Sequence, residues 1–256
     1  MTTLHALILG IVEGITEFLP ISSTGHLILA SKLLRLEQTE FVKSFEIAIQ
    51  LGAIFSVVWL YWRSVFLSWN IAKKVLIAFL PTGVIGLFLY KIVKTFLLGE
   101  TVVVWSLLIG GIALIMFELF SKPTQTEADD LQKISYKQAF TVGLFQSLAI
   151  IPGVSRAAAT IVGGLLMGIE RKTIVEFSFL LAIPTMTAAT GLDLVKNATS
   201  FNADQIGALF IGFLTSFIVA IFTIKFLLKF IKTHTFIPFG IYRIAVAVIF
   251  LILSVL

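Results

Sequence analysis

The chain has 256 residues, of which 58% are apolar or aromatic and 13% charged, whereas a soluble domain runs at about 45–50% and about 25%. With a mean hydropathy of +1.04 and no cysteine, a soluble enzyme, a disordered chain, a disulfide scaffold, a thiolate metal site and a Cys nucleophile are all excluded. The net charge of +5 comes without a long basic run. It therefore reads as membrane-topology information, with no nucleic-acid partner expected.

In chain order, apolar runs fall at residues 4–19, 22–35, 42–62, 72–91, 101–120, 136–151, 155–169, 173–194, 205–230 and 238–256. The longer ones have the roughly 20 residues that cross a hydrocarbon core of ~30 Å, so the chain reads as an all-α polytopic membrane protein. The N-terminal stretch lacks a Lys/Arg-rich segment and a small-residue cleavage site, so it is expected to be retained as structure. Two pairs of runs are too short to span singly. The pair over 4–35 is interrupted at Leu19-Pro20-Ile21-Ser22-Ser23, and the pair over 136–169 at Ile151-Pro152-Gly153-Val154-Ser155. Proline cannot continue a helix and Ser is a favoured N-cap, so each break reads as the end of one half-helix and the capped start of another.

The one long polar segment, residues 121–135, is predicted to be a cytoplasmic linker between a first repeat at 1–120 and a second at 136–256. Pro20, Ser23 and Thr24 align with Pro152, Ser155 and Arg156, and the same offset places Phe45 on Phe177 and Ile49 on Leu181. With one residue of slippage, Gly10 and Glu13 fall on Gly143 and Gln146. Each repeat then holds a broken pair and three spans. If each pair is re-entrant, three crossings per half make the repeats inverted, the arrangement that places working sites near broken helices. One face then carries Arg63, Lys73, Lys74, Lys122, Lys133, Lys137, Arg171, Lys172, Lys225, Lys229 and Lys232. The other carries Lys32, Arg35, Lys43, Lys91, Lys94 and Lys196. The richer face is assigned to the cytoplasm, which puts both termini and the mouth of the first pair outside.

Polar groups at membrane depth are costly and point to function. Glu13 and Glu17 lie four residues apart, so both carboxylates project from one helix face. Kept ionised, such a pair suits Mg²⁺ or Ca²⁺, which take oxygen ligands and share them with phosphates. Ser22, Ser23, Thr24 and Gly25 open the next half-helix, where free N–H groups and hydroxyls form an anion site. His26 follows in its first turn as a candidate acid, base or nucleophile. At the second break Ser155 caps a half-helix, Arg156 offers a planar donor fork suited to phosphate, and Thr160 lies a turn further on. These parts suit metal-assisted phosphoryl transfer on a phosphate-bearing lipid. They also suit an ion-coupled transporter or a lipid-phosphate flippase, whose repeats would house the same polar groups without needing a nucleophile. Glu118 and Lys122 read as a helix-end pair, and His5, His234, Asp193 and Arg243 as interfacial or structural. Glu46 and Gln50 sit one turn apart as candidate supports, and Glu176 is left open. The 24 phenylalanines read as lipid-facing and core packing.

The run EGITEFLPISSTGHL, followed by FEIAIQLG, PGVSRAAATI, EFSFLLAIP and IPFGIYR, resembles the bacterial undecaprenyl-diphosphate phosphatase family of the bacitracin-resistance type, over essentially the whole chain. The resemblance implies a multi-pass enzyme of the bacterial inner membrane, acting on a polyprenyl diphosphate among membrane lipids with a divalent cation, Mg²⁺ or Ca²⁺. It would hydrolyse undecaprenyl diphosphate to the monophosphate, recycling the carrier for peptidoglycan and other envelope polymers and conferring bacitracin resistance. By position, Glu13 and Glu17 would bind metal or activate the nucleophile. Ser23 would be the candidate nucleophile, supported by Ser22, Thr24 and His26, and Arg156 with Ser155 would bind the diphosphate. Serine, histidine and water all stand open as the attacking group, and monomer and homodimer as the assembly. The family pattern Pro-Gly-x-Ser-Arg-Ser-Gly-x-Thr is departed from at Ala157 and Ala158, which removes one hydroxyl and limits backbone approach.

Overall fold

A computed structural model describes residues 1–92, 99–120, 130–197 and 203–255, and among these the chain is helical with no strand. The helices are α1 (Thr3–Thr16), α2 (Ser23–Leu33), α3 (Glu40–Leu60), the short α4 (Trp62–Phe66), α5 (Trp69–Ile92) and α6 (Glu100–Phe120). They are followed by α7 (Tyr136–Gln146), α8 (Arg156–Leu166), α9 (Arg171–Asn197), α10 (Ala203–Phe230) and α11 (Ile237–Val255). Within α3, α5, α6, α9 and α10 lie stretches of 21 to 26 residues long and apolar enough to cross a membrane. At 1.5 Å per residue the 14 residues of α1 reach about 21 Å and the 11 of α8 about 16 Å, so neither crosses alone. Most of the linker expected at 121–135 lies outside the described residues. Its end does not: Asp130 caps a 3₁₀ turn over Leu131–Lys133, and Ser135 opens α7 in a reciprocal cap with Gln138.

Both breaks form where proline and serine place them. The first apolar run was expected to stay helical to residue 19, but α1 ends at Thr16 because Pro20 offers no N–H and disfavours helix before it. Ser22 then takes a φ of 75°, uncommon for a residue with a Cβ, and caps α2 by accepting from the Gly25 N–H. At the second break α7 runs into a 3₁₀ turn, Ser147–Ile150, Gly153 supplies a φ of 90°, and the Ser155 hydroxyl accepts from Ala158 N–H at 3.1 Å. The first break is anchored by packing. Phe18 is fully buried, with its ring edge-on to Phe179 of α9 at 5.2 Å between centroids.

Helix packing follows an exchange rule. α1 packs on α10 as α7 packs on α5, α3 lies against α10 as α9 lies against α5, and α3 meets α9 as α6 meets α11. The close contacts obey the same exchange. A Cβ on Gly10 would meet the Gly212 carbonyl at 2.7 Å, and one on Gly143 would meet the Ala78 carbonyl at 2.0 Å. Where α6 crosses α11, Gly111 and Gly240 each lie so close that a Cβ would stand 2.8 Å from the other's carbonyl oxygen. Phe45, Phe177, Ile49 and Leu181, paired by the sequence offset, are all fully buried.

The ends of the bundle are tied by polar contacts. Of the expected Glu118–Lys122 pair, Lys122 lies outside the described residues; Glu118 takes a two-pronged contact from Arg171 at 2.6 and 3.1 Å and the Phe236 N–H at 3.0 Å. Lys74 donates to the Gln132 carbonyl at 2.6 Å, and Lys32 pairs with Glu100 at 2.8 Å.

Candidate active site

The two breaks meet. Glu17 caps the C-terminal end of α1, Ser23 begins α2 and Arg156 begins α8. The Ser23 hydroxyl donates to Glu17 Oε2 at 2.5 Å, and Arg156 Nη2 donates to Glu17 Oε1 at 2.8 Å. This ion pair is almost closed to solvent, with side-chain exposures of 9% for Arg156 and 3% for Glu17. Arg156 Nη1 donates to the Ser178 carbonyl at 2.9 Å, and the guanidinium lies 5.8 Å from the centroid of the Phe18 ring. Its Nε–H is buried with no partner among the described residues. Residues 139 positions apart thus form one hydrogen-bonded unit, Ser23–Glu17–Arg156.

Glu13 stands one turn behind Glu17. It is fully buried, and no donor among the described residues reaches either of its oxygens. Two neighbouring carboxylates, one lacking every partner, need a proton or a cation at that place. The donor set is oxygen only, which fits a hard divalent ion.

A cavity of about 710 Å³ opens beside this unit. Its polar wall is Glu17, Ser22, Ser23, Thr24, Ser155 and Arg156, so the N-termini of α2 and α8 both border it. Its apolar wall comes from α5, including Phe79, Leu80 and Leu87, and from α9, including Met186 and Ala189. Between them Gln146 Nε2 donates to the hydroxyls of Thr82 and Thr185 at 2.9 and 3.1 Å, closing the wall with satisfied groups. Pro81 and Pro184 interrupt the hydrogen-bond ladders of α5 and α9 where those helices line the cavity. A space with a charged end and a greasy end takes an amphiphile with an anionic head.

Three expected site residues do not line the cavity: Glu13, buried one turn behind Glu17, and His26 and Thr160, which turn away from it. His26 Nδ1 lies 2.8 Å from the Ser22 carbonyl and Nε2 lies 3.0 Å from the Tyr242 hydroxyl. The carbonyl can only accept, so Nδ1 carries the proton and Tyr242 donates to Nε2. Thr160 donates to the carbonyls of Arg156 and Ala157 at 3.0 and 3.1 Å, with its hydroxyl 2.6 Å from that of Ser178. It supports Arg156 from behind. The departures at Ala157 and Ala158 also point inward: Ala157 belongs to the main hydrophobic core, and neither residue lines the cavity. Glu46 accepts from Ser31 at 2.5 Å, away from the cavity wall.

Sequence reasoning missed Ser178, Tyr242 and the Gln146–Thr82–Thr185 wall. Gln146 carried a signal, its alignment with Glu13. Ser178 and Tyr242 sit in EFSFLLAIP and IPFGIYR, segments with no polar cluster to mark them.

Fold and site together define a polytopic helical membrane protein with an intramembrane carboxylate–serine–arginine centre. Residues 6–249 match the family model described as bacitracin resistance protein BacA, and the chain belongs to that family. It is 55% identical over 250 residues to a protein of Sulfurihydrogenibium sp. (strain YO3AOP1), covering 98% of each chain. It is 52% identical over 252 residues to one of Persephonella marina, covering 98% of this chain and 99% of the relative. A protein of Aquifex aeolicus is also 52% identical, over 251 residues and 98% of each chain. All three are named undecaprenyl-diphosphatase.

Proposed function

We infer that this chain hydrolyses undecaprenyl diphosphate to undecaprenyl phosphate and phosphate, and so returns the carrier lipid to envelope polymer synthesis. The observation that carries the reading is the 2.5 Å contact of Ser23 with Glu17, held on its far side by Arg156. A hydroxyl bound to an oriented base is an activated nucleophile, and transport needs none.

In the proposed reaction Ser23 Oγ attacks the terminal phosphorus while Glu17 takes its proton. The bond from that phosphorus to the bridging oxygen breaks, and Glu17 returns the proton to the departing lipid monophosphate. Water, deprotonated by Glu17, then attacks the phosphoserine, and the proton goes back to Ser23. The Arg156 fork, its free Nε–H and the N–H groups opening α2 and α8 hold the phosphate oxygens. Arg156 needs no charge change to exchange its contact with Glu17 for one with phosphate. Glu13 and Glu17 would hold the proposed Mg²⁺ or Ca²⁺, which supplies charge neutralisation at the diphosphate. Ser22, Thr24 and Ser155 border the headgroup; His26 and Thr160 hold the loops that carry Ser23 and Arg156.

We place the protein in the bacterial inner membrane as two inverted repeats with both termini outside. The exchange of packing partners between the halves supports the two-fold repeat, and the odd number of spans expected in each half is the ground for its inversion. Contacts of Lys74 with residue 132 and of Arg171 with Glu118 gather one predicted face, and Lys32–Glu100 gathers the other. The cavity is lined by the halves of α5 and α9 remote from Lys74 and Arg171, which supports an extracytoplasmic opening.

The test is phosphate release from undecaprenyl or farnesyl diphosphate by the purified protein with Mg²⁺ or Ca²⁺ and with chelator. Release by wild type and none by Ser23→Ala is expected. A folded wild-type protein that moves the lipid across sealed vesicles without cleaving it would establish the transporter instead.

A further inference from the structure

Arg243 is the largest fully buried side chain, 1% exposed, and no carboxylate pairs with it among the described residues. Its Nη2 donates to the Ser106 and Gly153 carbonyls at 2.9 and 3.1 Å. Nη1 donates to the Pro20 carbonyl at 3.3 Å, and Nε to the Leu107 carbonyl at 3.4 Å. One guanidinium therefore joins α11, α6 and both breaks. Pro20 lies three residues before Ser23, and Gly153 three residues before Arg156. The neighbouring Tyr242 holds the first break too, through His26 and the Ser22 carbonyl. The fold is shaped for this fork, because a Cβ on Gly110 would stand 2.1 Å from Arg243 Nη2.

We propose that Arg243 is a positioning residue for the phosphatase reaction. By holding the Pro20 and Gly153 carbonyls on one rigid fork, it helps set the distance between Ser23 and Arg156, which lie on separate half-helices joined in the site only through Glu17. Carbonyls drawn back toward Arg243 leave the N–H groups that open α2 and α8 directed at the cavity. The inference rests on the proposed hydrolysis, with Ser23 and Arg156 in their stated roles. Lysine is a poor substitute, because one ammonium cannot span carbonyls on two breaks and a helix. Displacing reacting groups by about 1 Å costs on the order of 10²-fold in rate.

The test compares Arg243→Met, Arg243→Lys and Gly110→Ala, the last keeping the charge while driving the fork from its place. Each is purified, checked for helicity and monodispersity, and assayed on farnesyl diphosphate beside wild type and Ser23→Ala. Active wild type and inactive Ser23→Ala establish the underlying reading independently of the Arg243 variants. The expected result is a kcat loss of about 100-fold in Arg243→Met and about 10-fold or more in the other two, with KM within about threefold. Arg156→Ala combined with Arg243→Met is expected to lose little beyond Arg156→Ala alone, since both act on one unit. A kcat per folded molecule within threefold of wild type, or losses that multiply in the double variant, would overturn the proposal. If Arg243→Met does not fold, Gly110→Ala and Arg243→Lys decide by the same criteria.

Discussion

Replacing Glu17 by glutamine changes one oxygen to an amide nitrogen and leaves the shape of the site intact. In the native site Oε2 accepts from Ser23 at 2.5 Å and Oε1 from Arg156 at 2.8 Å. Glutamine keeps one oxygen, which goes to the charged guanidinium, and turns its NH₂ toward Ser23. The Ser23 proton then has no acceptor. Loss of a general base costs about 10²–10⁴-fold, so kcat is expected to fall by about that factor. The fold is expected to survive, because Arg156 exchanges a charged acceptor for a neutral one, a difference of about 1 kcal/mol. Glu17→Ala differs sharply. It leaves a guanidinium only 9% exposed facing an empty place, and removing one member of a buried pair costs about 3–5 kcal/mol. Single-turnover phosphate release in detergent, paired with thermal unfolding of the same samples, separates the two effects. A Glu17→Gln protein turning over within threefold of wild type would refute the assignment of Glu17 as base.

Arg156→Lys keeps the charge but cannot reach both Ser178 and Glu17, and turnover is expected to fall about 10–100-fold, the loss of one or two charge-assisted bonds, in the same assay. Ser178→Ala removes the hydroxyl 2.6 Å from Thr160 but keeps the Ser178 carbonyl contact, so a loss of only a few-fold is expected; abolished activity would reassign Ser178 to the reacting centre. Gly143→Ala puts a Cβ 2.0 Å from the Ala78 carbonyl oxygen, and thermal unfolding is expected to show a loss of about 1–3 kcal/mol or more, as overpacking does. Mass spectrometry after acid quench is expected to find phosphate on Ser23 in wild type and none in Ser23→Ala; rapid turnover without that adduct would point to direct attack by water.

The helices and their breaks were legible because membrane burial leaves a coarse record. A span needs an apolar run, and a Pro followed by Ser inside one marks an end and a restart. Glu17, Ser23 and Arg156 were legible for the same reason, since each is an ionisable or hydroxyl group where lipid tolerates none without purpose. The direction of a side chain within a helical turn left no such record. His26 sits in the first turn of α2 and Thr160 at the start of the second turn of α8, where a polar group either faces the cavity or folds back on the backbone. The structure shows the second choice for both, with His26 on the carbonyl four residues back and Thr160 likewise. Arg243 reads from the sequence as structural, but its acceptors were illegible in principle, because they are backbone carbonyls of Pro20, Ser106, Leu107 and Gly153, and a carbonyl leaves no mark in a sequence. The prolines of α5 and α9 broke neither helix, since neighbouring helices brace them.

The buried charges around the centre sharpen the electrostatic argument. Glu13 and Glu17 bring two carboxylates, and Arg156 and Arg243 bring two guanidiniums, each at most 9% exposed. With all four ionised, these side chains are neutral in sum but not uniform in place. Arg156 is spent on Glu17, and Arg243 is directed at backbone behind both breaks, leaving Glu13 without a donor. In the proposed reaction a diphosphate entering the cavity would add several negative charges beside Glu17, which lines it, with Glu13 one turn behind, in surroundings where uncompensated charge is strongly penalised. On the proposed mechanism Arg156 would offset part of this by moving from Glu17 to phosphate, freeing Glu17 to act as a base. That exchange would leave the Glu17 carboxylate facing the diphosphate, with the Glu13 carboxylate directly behind it. On that ground we propose a divalent cation arriving with the substrate and held where Glu13 lacks a partner among the described residues, and turnover is expected to stop when chelator removes it.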